Sequence, residues 1–497
     1  MQRISFSARA VNQALIVTMI LSVLAAASAG VSVQSDRDGL AAHRTSTPAP
    51  IQDGPDLKES IPALEAAIPR LMTEGEVPGL TIALIQHKQP VWIHAFGVRN
   101  AKTDARAEAG TLFQAASMSK PLFALGVLKL VDEGKLDLDT PLSKYLPGPY
   151  IEGDDRINLI TARIVLTHST GFPNWRPNGG PLKINFQPGL HFSYSGEGFV
   201  YLQRVVEHIT GEGLDEYMKK SVMEPLGMTS SSYVWEDRYS NYEPGFATGH
   251  NSVGMADPEN HQTEPNAAAS LVSTAGDYSK FVVALMEGTG LKPGTWKAML
   301  TPQIKVNEGC TVCLGTGQLK QSSSIEWGLG VGLQETALGP AFWHWGDNGD
   351  SGQCFMIGFE RQQAGIVIFT DSTNGQSIIP EILRVATGIS LPSTSWIKYD
   401  PYNSPSRVLF HLIRTAGVEA LKQYVARRDS IAKAERLNEG QMNRIGYWLN
   451  LAGKIKDAIA VFEQNVADYP SSFNTYDSLG EAYMDDGQTE LAIKNYK

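Results

Sequence analysis

Cysteine is scarce in this 497-residue chain, with only Cys310, Cys313 and Cys354. So few thiols exclude a disulfide-scaffolded fold. Cys310-Thr-Val-Cys313 has no second ligand pair at matching spacing, so it does not read as a zinc site. A local disulfide is the better reading of that pair, with plain thiols as the alternative. Cys354 sits in the apolar run Gln353-Cys-Phe-Met-Ile-Gly358 and reads as a core residue. Basic excess is lacking too: the net charge is −10 and no Lys/Arg cluster stands out, which removes nucleic acid from the expected partners. Charged residues are 19% against 42% hydrophobic, the balance of a folded chain, and the length allows two or three domains. No cofactor and no metal are expected.

Long apolar runs are also missing, with one exception. Arg3 and Arg9 precede the apolar segment Ala14–Ala25, which ends in Ala27-Ser-Ala29. That is the layout of a secretory signal peptide, and it is short for a membrane span. Residues 1–29 are therefore read as a cleaved signal and 30–55 as a flexible leader, with an uncleaved anchor as the alternative. The expectation is an exported protein, periplasmic or secreted, with no stable membrane span after cleavage.

Gly79-Leu-Thr-Ile-Ala-Leu-Ile85 and Val91-Trp-Ile-His-Ala-Phe96 are β-rich runs joined by His87-Lys-Gln-Pro90, which predicts a hairpin. A second pair lies far downstream, Cys354–Phe359 and Gly365–Thr370, turning near Arg361. Trp327–Leu333 is read as a further strand. Helical stretches lie between, at 114–134, 197–210 and 275–288. Strands at both ends and helices in the middle predict one α+β domain over 56–390. Residues 391–405 read as a linker. Beyond it the chain is helical, and Gly446/Gly480, Gly453/Gly487, Ala458/Ala492 and Phe462/Tyr496 repeat with a period of 34. This period, with small residues at helix crossings and aromatics between them, resembles the tetratricopeptide repeat. Residues 406–497 are thus expected to be an all-α segment. Either a helix around 406–426 caps the repeats, or the sequence is truncated at Lys497.

Chemistry centres on Ser117-Met-Ser-Lys120. Ser-x-x-Lys alone is weak, since Ser395-Trp-Ile-Lys398 and Ser430-Ile-Ala-Lys433 also occur. The first copy differs in context. Pro121 is tolerable only near a helix start, and Leu122–Leu128 is apolar all round, the mark of a buried helix. Spacing of three puts Lys120 on the face of Ser117. A partly desolvated Lys favours its neutral amine and becomes a usable base. The bland alternative is a capping Ser beside a solvated Lys.

Two further stretches decide between these readings: His191-Phe-Ser-Tyr194-Ser-Gly196-Glu-Gly198 and Phe342-Trp-His344-Trp-Gly346-Asp347-Asn-Gly349. With Ser117-x-x-Lys120 ahead of them, and with Leu166-Thr-His-Ser-Thr-Gly-Phe-Pro173 and Glu224-Pro-Leu-Gly-Met228 in support, 56–390 resembles the serine β-lactamase and penicillin-binding-protein family, particularly its class C β-lactamase, D-peptidase and carboxylesterase branch. The resemblance implies an antiparallel sheet flanked by helices plus a mostly helical part. It implies Ser117 as nucleophile, with Lys120 and Tyr194 sharing the general-base work. The oxyanion hole would be the N–H groups of Ser117 and Asp347, and the strand holding His344 and Gly346 would line the substrate groove. Two residues depart from the family pattern. Gly196 stands where the second motif carries Asn, which removes a grip on an acylamino group. His344 stands where many β-lactamases carry Lys, which weakens the hold on a β-lactam carboxylate.

The expected activity is hydrolysis of esters or small peptide and amide bonds, D-amino-acid peptides included, through an acyl-enzyme on Ser117. Two alternatives are a class C-like β-lactamase, and a penicillin-binding or scaffolding protein with little turnover. A small acyl substrate is the expected ligand, with a protein partner or self-association through the repeats. Gly349-Asp-Ser-Gly352 is similar to the nucleophile segment of chymotrypsin-like proteases, but Gln353 breaks the glycine run, and no Gly-x-Ser-x-Gly elbow is present. His168 reads as a hydrogen-bonded core imidazole. Glu197 reads as a solvated acid at a helix start rather than a group tuning Tyr194.

Overall fold

The computed structural model describes Gly54 and residues 56–177, 180–235, 239, 242, 245–257, 263–431 and 436–497. The signal-like segment 1–29 and most of the 30–55 leader lie outside the described residues. Among the described residues no helix is long and apolar enough to cross a membrane.

Among the described residues eleven strands form: β1 Gly79–Gln86, β2 Gln89–Asn100, β3 Ala105–Arg106, β4 Phe113–Gln114, β5 Val272–Ser273, β6 Ile304–Asn307, β7 Gln321–Trp327, β8 Gly332–Thr336, β9 Gly339–Asp347, β10 Gln353–Phe359 and β11 Ala364–Thr370. Nine of them make one antiparallel sheet in the order β3-β2-β1-β11-β10-β9-β8-β7-β6, and β4 pairs with β5 apart from it. The chain's first and last long strands, β1 and β11, are neighbours at the centre, with Leu80 opposite Thr370 and Ile85 opposite Gly365. The β1–β2 turn is His87-Lys88, both at positive φ (51° and 58°), the geometry of a two-residue hairpin turn.

Period-two alternation sorts side chains onto the two faces. On one face Ala83, Ile85, Cys354, Met356, Val367 and Phe369 meet the helical part. On the other, Ile82, Leu84, Phe355, Ile357, Ile366 and Ile368 meet α1 (Ile61–Gly75) and α5 (Gly375–Thr387). Helix α2, Ser119–Asp132, runs through the helical part with Leu122, Phe123, Ala124, Val127, Leu128 and Leu130 all buried, as its unbroken apolar sequence requires. Helices α3 (Gly196–Thr210) and α4 (Ala275–Glu287) pack around it.

The elements differ from the sequence reading in three places. Trp327–Leu333 is not a strand: Gly328–Val331 forms the turn between β7 and β8, with Gly330 at φ 88° and little room for a side chain. The stretch 391–405 is packed rather than a free linker. Its helix Pro392–Ile397 buries Leu391 and Trp396, and the Trp396 indole N–H donates to the Asn307 carbonyl (2.8 Å). The helix expected around 406–426 is two, α6 (Pro405–Ala416) and α7 (Val418–Arg427), broken at Gly417 with φ 68°.

Helices α8 (Glu439–Leu451), α9 (Ile455–Asp468), α10 (Phe473–Asp485) and α11 (Thr489–Tyr496) make two hairpins. Gly446 faces the ring of Phe462, where a Cβ would come within 2.5 Å, and Gly480 faces Tyr496 in the same way at 2.9 Å. Helix α6 packs Leu409, Phe410 and Ile413 into this helical core. It also carries Arg407 and Arg414 to Glu76, whose carboxylate is buried at the end of α1. Arg407 lies over the Trp448 ring (3.8 Å) and donates to the Ser252 carbonyl (2.9 Å). Glu76 sits at φ 54°, a position glycine would favour, and its carboxylate faces two guanidinium groups. Replacing it (Glu76→Gln) takes the nearest carboxylate from buried Arg407, with only the negative charge of Asp400 still acting on it, and urea unfolding should show a loss of about 3 kcal/mol.

Candidate active site

Ser117 lies in a single 3₁₀ turn, Ala116–Met118, feeding straight into α2. Ala116 has φ 46°, a left-handed conformation unusual for a residue with a Cβ. Surrounding groups hold it there. The Ala115 N–H donates to the Leu271 carbonyl (2.7 Å), Ser119 Oγ donates to the Ala116 carbonyl (2.5 Å) and accepts from the Leu271 N–H (3.0 Å), and the Tyr278 hydroxyl donates to the Met118 carbonyl (2.7 Å). Cys354, a buried free thiol as its apolar strand predicts, donates to the Ala115 carbonyl (3.0 Å).

Lys120, on the first turn of α2, is fully buried with Nζ 2.9 Å from Ser117 Oγ. Nζ donates to the Ala268 carbonyl (2.7 Å) and faces the rings of Tyr194 (4.9 Å), Phe199 (5.7 Å) and Trp175 (5.8 Å). Among the described residues no carboxylate pairs with it, and burial alone pulls its pKa well below the ordinary lysine value. A neutral amine has two N–H groups and one lone pair. With one N–H on Ala268, the lone pair can take the Ser117 proton. The Tyr194 phenol is also buried, and burial pushes its pKa upward while the neighbouring Ser117 hydroxyl pulls slightly the other way.

Tyr194 is backed by His168, whose ring stacks on it (4.2 Å, 28°). His168 Nδ1 accepts from the Ser195 N–H (3.1 Å), which fits the core imidazole expected of it and leaves the proton on Nε2. His344, on β9, is buried with Nδ1 2.7 Å from the Trp345 carbonyl, so Nδ1 carries the proton there. Burial, with Lys120 nearby, pushes His344 down to about 3, so it is a neutral imidazole at any physiological pH. Gly346, two residues on, has no room for a side chain: a Cβ would fall 2.4 Å from Cys354 Sγ and 2.6 Å from the Ala115 carbonyl oxygen. This close approach sets β9 against the Ser117 turn. Asp347 follows at the strand end, exposed, and accepts from the Tyr399 hydroxyl (2.6 Å).

Ser195 caps α3 by accepting from the Gly198 N–H (3.1 Å), which places Tyr194 and Gly196 at the helix entrance. The space beside Gly196 is not vacant. A Cβ there would meet the Trp175 indole at 2.7, 2.9 and 3.1 Å. Glu197 is buried rather than solvated. It accepts from the Tyr150 hydroxyl (2.6 Å) and pairs with Arg176 (2.8 Å), because two partners inside the fold replace its water. It therefore fixes the 174–176 segment and does not face Tyr194.

Cys310 and Cys313 are joined by a disulfide. The small ring it closes supplies the Thr311 carbonyl, which accepts from the Tyr194 N–H (2.8 Å). The Cys313 N–H donates to Ser193 Oγ (2.9 Å), and His191 Nε2 lies 3.0 Å from the Cys313 carbonyl. The backbone of Tyr194 thus hangs on this ring.

Lys120 ties the group together: Nζ is 2.9 Å from Ser117 Oγ and 4.9 Å from the Tyr194 ring, which is 6.1 Å from the His344 ring, while Gly346 abuts the Ser117 turn and Gly196 the Trp175 indole. Sequence reasoning missed Trp175, the Ala268 carbonyl, the Thr311 carbonyl and Tyr399. The one signal available was Trp175 itself, a large aromatic lodged in the polar loop Pro173-Asn-Trp-Arg-Pro177. The other Ser-x-x-Lys copies lie elsewhere: Ser430 Oγ merely donates to the Arg427 carbonyl (2.6 Å) at the surface.

Two outcomes follow from this geometry. Burial holds the Lys120 pKa well below its unfolded value of 10.5, so between the two the unfolded state binds more protons and wild-type stability rises with pH. Lys120→Met should therefore be more stable than wild type at pH 7. The gap should close by about 1.4 kcal/mol per pH unit as pH rises towards the ordinary lysine range, as read by urea unfolding at several pH values. Removing the disulfide (Cys310→Ser with Cys313→Ser) should lower kcat about tenfold by loosening Tyr194, while global stability drops by only about 2 kcal/mol; parallel kinetics and denaturation would check this.

The beta-lactamase family model matches residues 64–385. Esterase EstB of Burkholderia gladioli is 26% identical over 251 residues, which cover 43% of this chain and 64% of that protein. Penicillin-binding protein 4* of Bacillus subtilis (strain 168) is 24% identical over 266 residues, 46% of this chain and 57% of that protein. The chain spans less than two thirds of either relative's length. In three dimensions it is similar to the octameric penicillin-binding protein homologue from Pyrococcus abyssi, with a TM-score of 0.54 and 24% identity over 63% of this chain and 74% of that one, a likeness of fold. The family match runs from within α1 to within α5, well over half of the chain, and the protein belongs to the beta-lactamase family.

Proposed function

We propose that the protein is a serine hydrolase that cleaves carboxylic esters and small amide or peptide bonds, D-amino-acid peptides included, through an acyl-enzyme on Ser117. The observation that carries this reading is the fully buried Lys120 amine, unpaired with any carboxylate among the described residues and 2.9 Å from Ser117 Oγ. Lys120 takes the hydroxyl proton as Ser117 Oγ attacks the carbonyl carbon. Tyr194, kept as a phenol by its burial, stands ready to hand a proton to the departing alkoxide or amine and to be reprotonated from Lys120. The backbone N–H groups of Ser117 and Asp347 receive the oxyanion. Water then attacks the acyl-enzyme with the proton transfers reversed.

Esters are favoured over β-lactams because the third motif offers no cation. His344 is neutral, and the next charged side chain along the strand is the carboxylate of Asp347. A substrate carboxylate would meet no fixed positive charge from this strand. An exported enzyme, periplasmic or secreted, fits the apolar N-terminal segment and the disulfide. The 34-residue spacing of the Gly446–Phe462 and Gly480–Tyr496 contacts supports a tetratricopeptide-like region that takes a protein partner or a second copy.

Incubating the full chain and its Ser117→Ala variant with a p-nitrophenyl ester, a chromogenic cephalosporin and a fluorescent penicillin tests this. Ester turnover in the wild type should fall at least about a thousandfold in Ser117→Ala. Turnover that persists in the variant sinks the mechanism. Rapid cephalosporin hydrolysis would make the protein a β-lactamase, and stable penicillin labelling without turnover would make it a penicillin-binding protein.

A further inference from the structure

Trp175, whose ring stands 5.8 Å from Lys120 Nζ, remains accessible at 45% exposure. An indole so open to water is expected to move, yet its neighbours on both sides are fixed. Asn174 accepts from the Gly196 N–H through its side chain (2.9 Å) and from the Glu197 N–H through its carbonyl (2.9 Å). The Pro173 carbonyl accepts from Ser195 Oγ (2.8 Å). Arg176 pairs with Glu197 and lies over the Tyr150 ring (5.3 Å). The loop is therefore strapped to the entrance of α3 on either side of Trp175.

One face of the indole lies against Gly196, where any Cβ would collide with it, and its centroid stands 5.8 Å from Lys120 Nζ. An ordered, half-exposed aromatic ring at a reactive centre presents a flat apolar surface with no polar demand of its own. We propose that Trp175 is a specificity-determining platform on which a flat apolar group of the substrate stacks, and that the preferred substrates are esters carrying an aryl or similarly planar group next to the scissile carbonyl. The proposal rests on the reading of Ser117 as nucleophile. It assigns the glycine of the second motif a positive use: Gly196 is what allows the indole to lie there.

The experiment compares ethyl acetate, methyl benzoate and benzyl acetate as substrates of the full chain, followed by acid release, in wild type, Trp175→Ala, Trp175→Phe and Gly196→Ala. Wild type should prefer at least one of the aryl esters over ethyl acetate. Trp175→Ala should lower kcat/KM for that ester about tenfold more than for ethyl acetate, chiefly by raising KM. Trp175→Phe should recover most of the preference, as a structural loss would not. Gly196→Ala, which displaces the ring without removing it, should copy Trp175→Ala. Which aryl ester responds tells whether the group lies on the acyl or the alcohol side. An unchanged ratio of aryl to ethyl ester in Trp175→Ala, or no aryl preference in wild type, overturns the proposal while Ser117 keeps its role. Undiminished turnover in Ser117→Ala overturns the underlying reading instead.

Discussion

The site depends on keeping one amine out of water. Lys120 can serve Ser117 as a base only while uncharged, and nothing but burial keeps it so. That requirement explains why α2 is apolar on every side, why rings rather than carboxylates surround Nζ, and why the Ala268 carbonyl is its other partner. A single acid within reach would restore the charge and remove the base. The imidazoles obey the same rule: His168 and His344 are neutral, each with one nitrogen bonded to backbone and the other buried.

Such a site stores strain and leaves polar atoms without partners. Ala116 is held left-handed by hydrogen bonds from three separate segments, and the Tyr194 hydroxyl, His168 Nε2 and His344 Nε2 are buried without a partner among the described residues. Elsewhere in the fold such features would be costly. Grouped around Ser117, they mark where the protein gives up stability for reactivity.

Much of this was legible in the sequence. The two central hairpins announced themselves through β-rich runs and α2 through an unbroken apolar one, and the nearness of Ser117 and Lys120 follows from helix geometry alone. Tyr194, His344 and Gly346 were found by the order of motifs, because no local signal reveals that strands and helices far apart in sequence converge. What stayed hidden was every contribution made by a backbone carbonyl, Ala268 and Thr311 above all, since a carbonyl has no letter in the sequence. Glu197 was misread because its partners, Tyr150 and Arg176, lie 47 and 21 residues away. The Trp327–Leu333 segment misled because its apolar residues fit a strand, whereas its glycines serve a turn.

Trp396 and Tyr399 blur the border between the two parts of the chain. Trp396 plugs the space beneath Trp343 and Trp345, the flanking residues of His344, and Tyr399 holds the carboxylate of Asp347. Both lie beyond the end of the family match, in a stretch whose composition looks like spacer. In folding terms the hydrolase ends only after Tyr399, and the helical array starts within a few residues of it, at Pro405. The two regions therefore share a seam rather than a tether. Exchange of either one between proteins would have to carry this seam along, or lose the floor under the strand that faces Ser117.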